Sequence, residues 1–166
     1  MKQLTNMEIK RNNRNRIFRY ILTKEITSNP DIAYELKMSL PTVTQNTKEL
    51  LEKGVIEEKG DLNSTGGRRA KGLSVVKDLK FAIGIDITKN HLGVILLNLA
   101  KDTIFYERLS LIFKNTEEYY SKINKILDNL LFKYNIKKES ILGIGISLPG
   151  IVNLETNTLT ESHILN

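Results

Sequence analysis

Two short clusters hold the residues best suited to chemistry, and the chemistry is recognition of a polyanion. The first is Gly66-Gly67-Arg68-Arg69-Ala70-Lys71, where glycines let backbone approach closely and arginines can enter a narrow minor groove or bind phosphate. The second is the set Pro41, Thr42, Thr44, Gln45 and Lys48, which falls along one side and the leading end of a helix if residues 41–52 are helical. Small neutral hydrogen-bonding side chains followed by one lysine suit base edges in a DNA major groove. Gln45 can pair bidentately with adenine, Arg68 and Arg69 can read an A·T-rich minor groove, and Lys48 and Lys71 can sit on phosphate.

Bond-making chemistry is poorly supplied by comparison. The chain has no cysteine, which excludes disulfides and thiolate metal sites. His91 and His163 lie far apart in sequence, so a tetrahedral zinc site is not expected. Neither a nucleophile with a positioned base nor a carboxylate pair of recognisable spacing stands out, so no enzyme and no cofactor are expected. The first sixteen residues are charged and polar where a signal peptide needs an apolar core, and no run approaches the length of a membrane helix. A cytoplasmic protein with no membrane partner follows as the expectation.

Charge points the same way once it is located. Residues 1–80 carry 16 Lys plus Arg against 10 Asp plus Glu, whereas residues 81–166 carry 9 against 9. The whole excess of +6 is therefore N-terminal, which suggests a polyanion partner for the first half and requires none for the second.

The elements that must position the two clusters are legible in part. Residues 10–26 put Ile17, Phe18, Ile21, Leu22 and Ile26 at helical spacing, with arginines over much of the rest. Ser28-Asn29-Pro30 breaks that helix and caps a short second one, running to about Lys37 and burying Ile32, Ala33 and Leu36. Ser39 caps a third helix whose inner face is Val43, Thr47, Leu50 and Leu51, and Gly54 ends it. The apolar pairs Val55-Ile56 and 73–76 flank turn formers, the pattern of a two-stranded wing with the glycine-arginine cluster at its tip.

From Lys80 the composition changes. Residues 81–87, 91–99 and 103–113 are expected to form an antiparallel meander, and residues 116–134 a helix with a stripe from Tyr119 to Tyr134. The apolar run 141–147 follows that helix, which calls for a parallel pairing through a crossover. Gly143 and Gly145 are explained by close strand packing, because a lone GxG with no helix after it is weak evidence for a phosphate site.

Helix, helix, TVTQNTKELLEKGVIEEKG and then STGGRRAKGLSV resemble the winged helix-turn-helix of ROK-family repressors, the sugar-responsive regulators related to bacterial glucokinases. GIDITKNHLGVILLNL is similar to that family's first phosphate-binding hairpin, and GIGISLPGIVNLETNTL to its proline-glycine segment. The resemblance covers nearly the whole chain. It implies an α+β protein with a winged helix-turn-helix DNA-binding domain at 1–78 and, at 79–166, the β-β-β-α-β opening of an actin-like (ribonuclease H-like) sugar-kinase domain, truncated.

Departures from the family qualify what the resemblance implies. ROK kinases place a glycine-rich turn after the first-strand aspartate so that backbone amides can reach phosphate. This chain has Asp86-Ile87-Thr88-Lys89-Asn90, so nucleotide binding is not expected, and Asp86 reads as a turn or capping carboxylate rather than a magnesium ligand. The family's later sugar-contacting and zinc-binding residues have no counterpart here, which argues against a sugar effector.

The resulting expectation is a sequence-specific repressor of carbohydrate-related genes that binds double-stranded DNA, with a symmetric homodimer as the usual arrangement for reading two half-sites. A sugar-kinase fragment or sugar-binding module without a DNA role is the alternative. A protein-interaction role through open strand edges is a third.

Overall fold

The computed structural model describes residues 5–61, 70–156 and 158–162. The chain divides into two compact units, Met1–Lys77 and Asp78–Asn166.

The first unit opens with α1, Asn6–Leu22, which starts earlier than periodicity suggests. Thr5 and Glu8 form a capping box: Thr5 Oγ1 accepts from the Glu8 amide, and the Glu8 carboxylate accepts from the Thr5 amide at 2.8 Å. The helix also stops before Ile26, which is exposed and lies against Gly72. A Cβ built on Gly72 would sit 2.4 Å from Ile26 Cδ1 and 2.6 Å from the Lys59 carbonyl oxygen, so only glycine fits without movement.

Helix α2, Asn29–Leu36, has Ser28 as its N-cap and Pro30 in its first turn. Lys37 then takes a left-handed conformation at φ 52°, turning the chain toward α3, Leu40–Glu52. Gly54, at φ 65°, ends that helix as expected and leads to β1, Ile56–Asp61, which pairs antiparallel with β2, Lys71–Val75. The β1–β2 register shifts between Glu58 and Asp61, where Gly60 has φ 62°. Thr27 adds a rung on the other side of β2, exchanging backbone hydrogen bonds with Leu73 in both directions. Ile17, Ile21, Ile32, Val43, Leu50, Ile56, Leu73 and Val75 are the buried apolar core of this unit.

The second unit is built on β3, Phe81–Ile87; β4, His91–Asn98; β5, Thr103–Ser110; α4, Glu117–Lys133; and β6, Ile141–Ser147. The sheet order is β5-β4-β3-β6, with β3–β4 and β4–β5 antiparallel and β3–β6 parallel. The meander and the parallel return are thus as expected. Phe81, Ile83, Ile85, Ile87, Leu92, Val94 and Leu96 form one core with Tyr119, Ile123, Leu130 and Leu131 of α4.

Two features differ from expectation. Among the described residues a Cβ at Gly143 or Gly145 would meet nothing within 4 Å, so these glycines do not serve close strand packing there; β6 lies at the sheet edge with β3 as its one neighbour among them, and Leu142, Ile144 and Ile146 on it are exposed. An additional hairpin, β7 (Ile151–Asn153) with β8 (Thr158–Glu161), also follows. Its turn begins at Asn153, whose Oδ1 accepts from the Glu155 and Thr156 amides.

Candidate nucleic-acid interface

The outward face of α3 depends on how firmly its inner face is held. Val43, Thr47 and Leu50 are buried, and Thr47 Oγ1 donates to Asn29 Oδ1 on α2 at 2.9 Å as well as contacting the Val43 and Thr44 carbonyls. Asn46 is buried beside them, a residue the apolar pattern could not flag; its Nδ2 donates to the Thr42 carbonyl at 2.8 Å, while Oδ1 has no partner among the described residues. A β-branched and an amide residue therefore replace aliphatics on part of the buried face, linking α3 to α2 by a directional contact.

On the opposite side, Pro41, Thr44, Gln45 and Lys48 are exposed together, and Thr42 is half-buried at the leading end. Among the described residues the Thr44 hydroxyl and the Gln45 amide make no side-chain hydrogen bond, so both remain able to bond a partner. Lys48 lies 4.0 Å from Glu52 one turn on, an exposed pair of little strength that a phosphate can displace. Thr42 is committed differently: its hydroxyl meets Ser39 Oγ at 2.8 Å, and its amide donates to the same atom at 3.4 Å. It belongs to the N-cap as much as to the reading face.

That cap yields a prediction. Ser39→Ala should lower the stability of the first unit by about 1 kcal/mol, seen as a lower urea midpoint with an unchanged slope. A midpoint equal to that of the unchanged chain would mean that the cap is replaced by water at no net loss.

In the wing, Lys71 starts β2 and its ammonium pairs with the Glu58 carboxylate on β1. Arg68 and Arg69 lie outside the described residues. The basic side of α1 is more engaged than a helical wheel suggests. Lys10 and Arg14 both reach Glu49 on α3, Arg14 Nη1 at 2.8 Å, and Arg16 donates to the Leu36 carbonyl at 3.3 Å. These pairings join residues 20 to 39 positions apart, which no local pattern announces. The two cations hold the Glu49 carboxyl below the usual carboxylate range, first through the Lys10 hydrogen bond and then through that of Arg14.

In the second unit, Asp86 is exposed on the sheet face away from α4, opposite Gly93 in the β3–β4 register and Ser147 in the β3–β6 register. A Cβ at Gly93 would lie 3.3 Å from Asp86 Cβ, so the carboxylate side chain crowds the strand beside it. The following turn is closed on itself: Thr88 donates its amide and hydroxyl to the His91 carbonyl at 2.9 and 3.0 Å, and the His91 amide donates to Thr88 Oγ1 at 3.1 Å. Among the described residues no three His, Cys, Asp or Glu side chains gather as they would for a metal ion. No helix among them is long and apolar enough to cross a membrane.

Three helices, a left-handed turn before the third, and a two-stranded ribbon after it define a winged helix-turn-helix module. Residues 10–57 accordingly match the family described as winged helix-turn-helix DNA-binding. Over 156 residues the chain is 34% identical to the xylose repressor of Caldicellulosiruptor bescii, covering 91% of this chain and 38% of that protein. It is 25% identical over 160 residues to the DNA-binding transcriptional dual regulator NagC of Escherichia coli strain K12, covering 95% and 39%. A crystal structure of a ROK family transcriptional regulator, a homolog of the Escherichia coli MLC protein, shares the fold at a TM-score of 0.63 and 20% identity, over 93% of this chain and 39% of that one. The chain is thus similar in sequence to these regulators and shares the fold of the ROK family structure, and it spans 38% to 39% of the length of these proteins.

Proposed function

We propose that the chain is a sequence-specific DNA-binding transcriptional repressor of carbohydrate-related genes, acting in the cytoplasm and reading two half-sites as a homodimer. The observation that carries this is the outward face of α3. Pro41, Thr44, Gln45 and Lys48 stand exposed on a helix whose other side is fixed by buried apolar residues and the Thr47–Asn29 bond. Rigid support with unoccupied hydrogen-bonding groups is what base-edge reading requires. Likeness to a xylose repressor and to NagC along nearly the whole chain supports the regulatory reading and its link to sugar-related genes.

Within this reading Thr44 and Gln45 contact bases, Lys48 and Lys71 contact phosphate, and Arg68 and Arg69 enter the minor groove beside the site. Pro41 and Thr42 set the angle at which the helix meets the groove. No catalysis is assigned to the second unit in this reading: in the β3–β4 turn the Thr88 amide bonds the His91 carbonyl and the His91 amide bonds Thr88 Oγ1, which takes these two amides from a phosphate cradle. A sugar effector is not part of the proposal.

Selection of bound duplexes from a random DNA pool, followed by titration against salt, tests it. A shared motif repeated at a spacing near one helical turn is the expected result. Equal affinity for every duplex, or affinity indifferent to salt, would overturn it. Arg68→Ala should weaken binding and make the salt slope shallower by about 0.9; an unchanged slope would place that arginine off the DNA.

A further inference from the structure

Of the side-chain clusters outside the reading face, the most fully assembled is the one that joins α1 to α3. Glu49 lies one turn beyond Gln45 on α3, at the margin between the exposed and buried faces. Both of its oxygens are taken, Oε1 by Lys10 and Oε2 by Arg14, two residues one turn apart on α1. The Glu49 and Arg14 side chains are each 23% exposed, so this pair is shielded far more than the 77% exposed Lys48 or its partner Glu52. Lys10 itself is 46% exposed, but it shares the carboxylate with the more shielded Arg14, and a carboxylate with both oxygens bonded to cations is exchanged for a phosphate contact less readily than an exposed i,i+4 pair.

Resting on the DNA reading above, we infer that Glu49 limits non-specific DNA binding by holding Lys10 and Arg14 away from phosphate, and so sets the specificity of the module. Non-specific affinity grows with the number of phosphates neutralised, whereas sequence is read by base contacts. Two mobile cations beside the reading face would add to the first without adding to the second. They would add most on random DNA, where the protein can shift along the duplex until the cations meet phosphate. On a preferred sequence, base contacts fix the register and leave the freed cations less choice. Glu49 is thus a positioning residue acting through its two partners.

Glu49→Gln in the full chain keeps the side-chain shape and removes the charge. Binding should be measured across a salt series on a duplex selected from the random pool and on a random-sequence duplex. The variant is expected to bind the random duplex on the order of ten-fold more tightly at 0.1 M salt, with a slope steeper by about 1 to 2. The selected duplex gains less, so the ratio between the two falls. An unchanged random-duplex affinity and slope would overturn the inference, as would equal weakening of both duplexes at constant slope, the mark of a purely structural tie.

The triple variant K10Q/R14Q/E49Q gives an answer that does not depend on the single variant folding. With no charge left in the cluster its slope should match that of the unchanged chain. A slope shallower by about 1 to 2 would show that Lys10 and Arg14 already touch phosphate, and would overturn the inference. An unchanged chain that binds neither duplex would overturn the DNA reading itself and this inference with it, an outcome separate from a DNA-binding chain on which Glu49→Gln has no effect.

Discussion

Ile17→Ala is expected to destabilise the winged unit by about 2 to 5 kcal/mol, a large share of the roughly 5 to 15 kcal/mol of ordinary domain stability, and so to weaken DNA binding. Ile17 is fully buried on α1, one turn before Ile21, which is also fully buried. The core they enter is small: eight apolar side chains drawn from three helices and two strands hold it together. In so small a core, neighbours cannot collapse into the space left by three carbons without moving α3, whose orientation is what the reading face depends on. Loss of contact area and a residual cavity therefore act together, and stability and function should fall in step. Urea unfolding followed by circular dichroism, alongside duplex binding, checks this. A midpoint within experimental error of the unchanged chain would mean that α1 is not part of the folding unit that presents α3.

The specificity of that packing explains which parts of the fold could be read in advance. Strands 81–87 and 141–147 stand out because all but Asp86 and Ser147 in them are apolar or glycine, and the structure places β3 and β6 at those bounds. The third helix was equally legible, since Ser39, Pro41 and Gly54 mark its ends and Val43, Thr47 and Leu50 mark its inner face. Helix α1 was legible only in its middle. Its start is signalled by Thr5 and Glu8 at capping-box spacing, a cue outweighed by the apolar stripe that begins later. The helix ends at Leu22, where the Thr23 hydroxyl donates to the Tyr20 carbonyl at 2.7 Å, and Ile26 instead lies beside Gly72, 46 positions on. The hairpin of β7 and β8 is not legible in advance, because strands of three and four residues are too short for a period-two pattern to stand out.

What the sequence could not reveal about the site is its electrostatics. Counting charges places an excess of six cations in the first half, and a helical wheel assigns many of them to an open basic face on α1. The fold withdraws part of that face. Glu49 takes Lys10 and Arg14, and the Leu36 carbonyl takes Arg16. Each partner comes from another element, so the local sequence around a cation says nothing about whether it is available to DNA. The uncharged reading face is the reverse case: Thr44 and Gln45 share an exposed side with Pro41 and Lys48, three and four positions away, while Val43, Thr47 and Leu50 fill the buried side, a property that periodicity does carry.

Gln45→Ala therefore offers the cleanest separation of base reading from charge. The side chain is exposed and has no hydrogen-bond partner among the described residues, so truncation removes nothing that holds the fold. Alanine also favours the helix, and stability should stay within about 0.5 kcal/mol of the unchanged chain. If the amide pairs with adenine N6 and N7, its loss removes about 1 to 3 kcal/mol of discrimination at one base position, or roughly 5- to 150-fold in relative affinity. Affinity for random duplexes should hardly change, and the salt slope should not change at all, because no cation has been removed. A selection from random DNA with the variant should return the same half-site with that single position relaxed. Equal loss on every duplex would instead place Gln45 on the phosphate backbone and shift base reading to Thr44 and the wing.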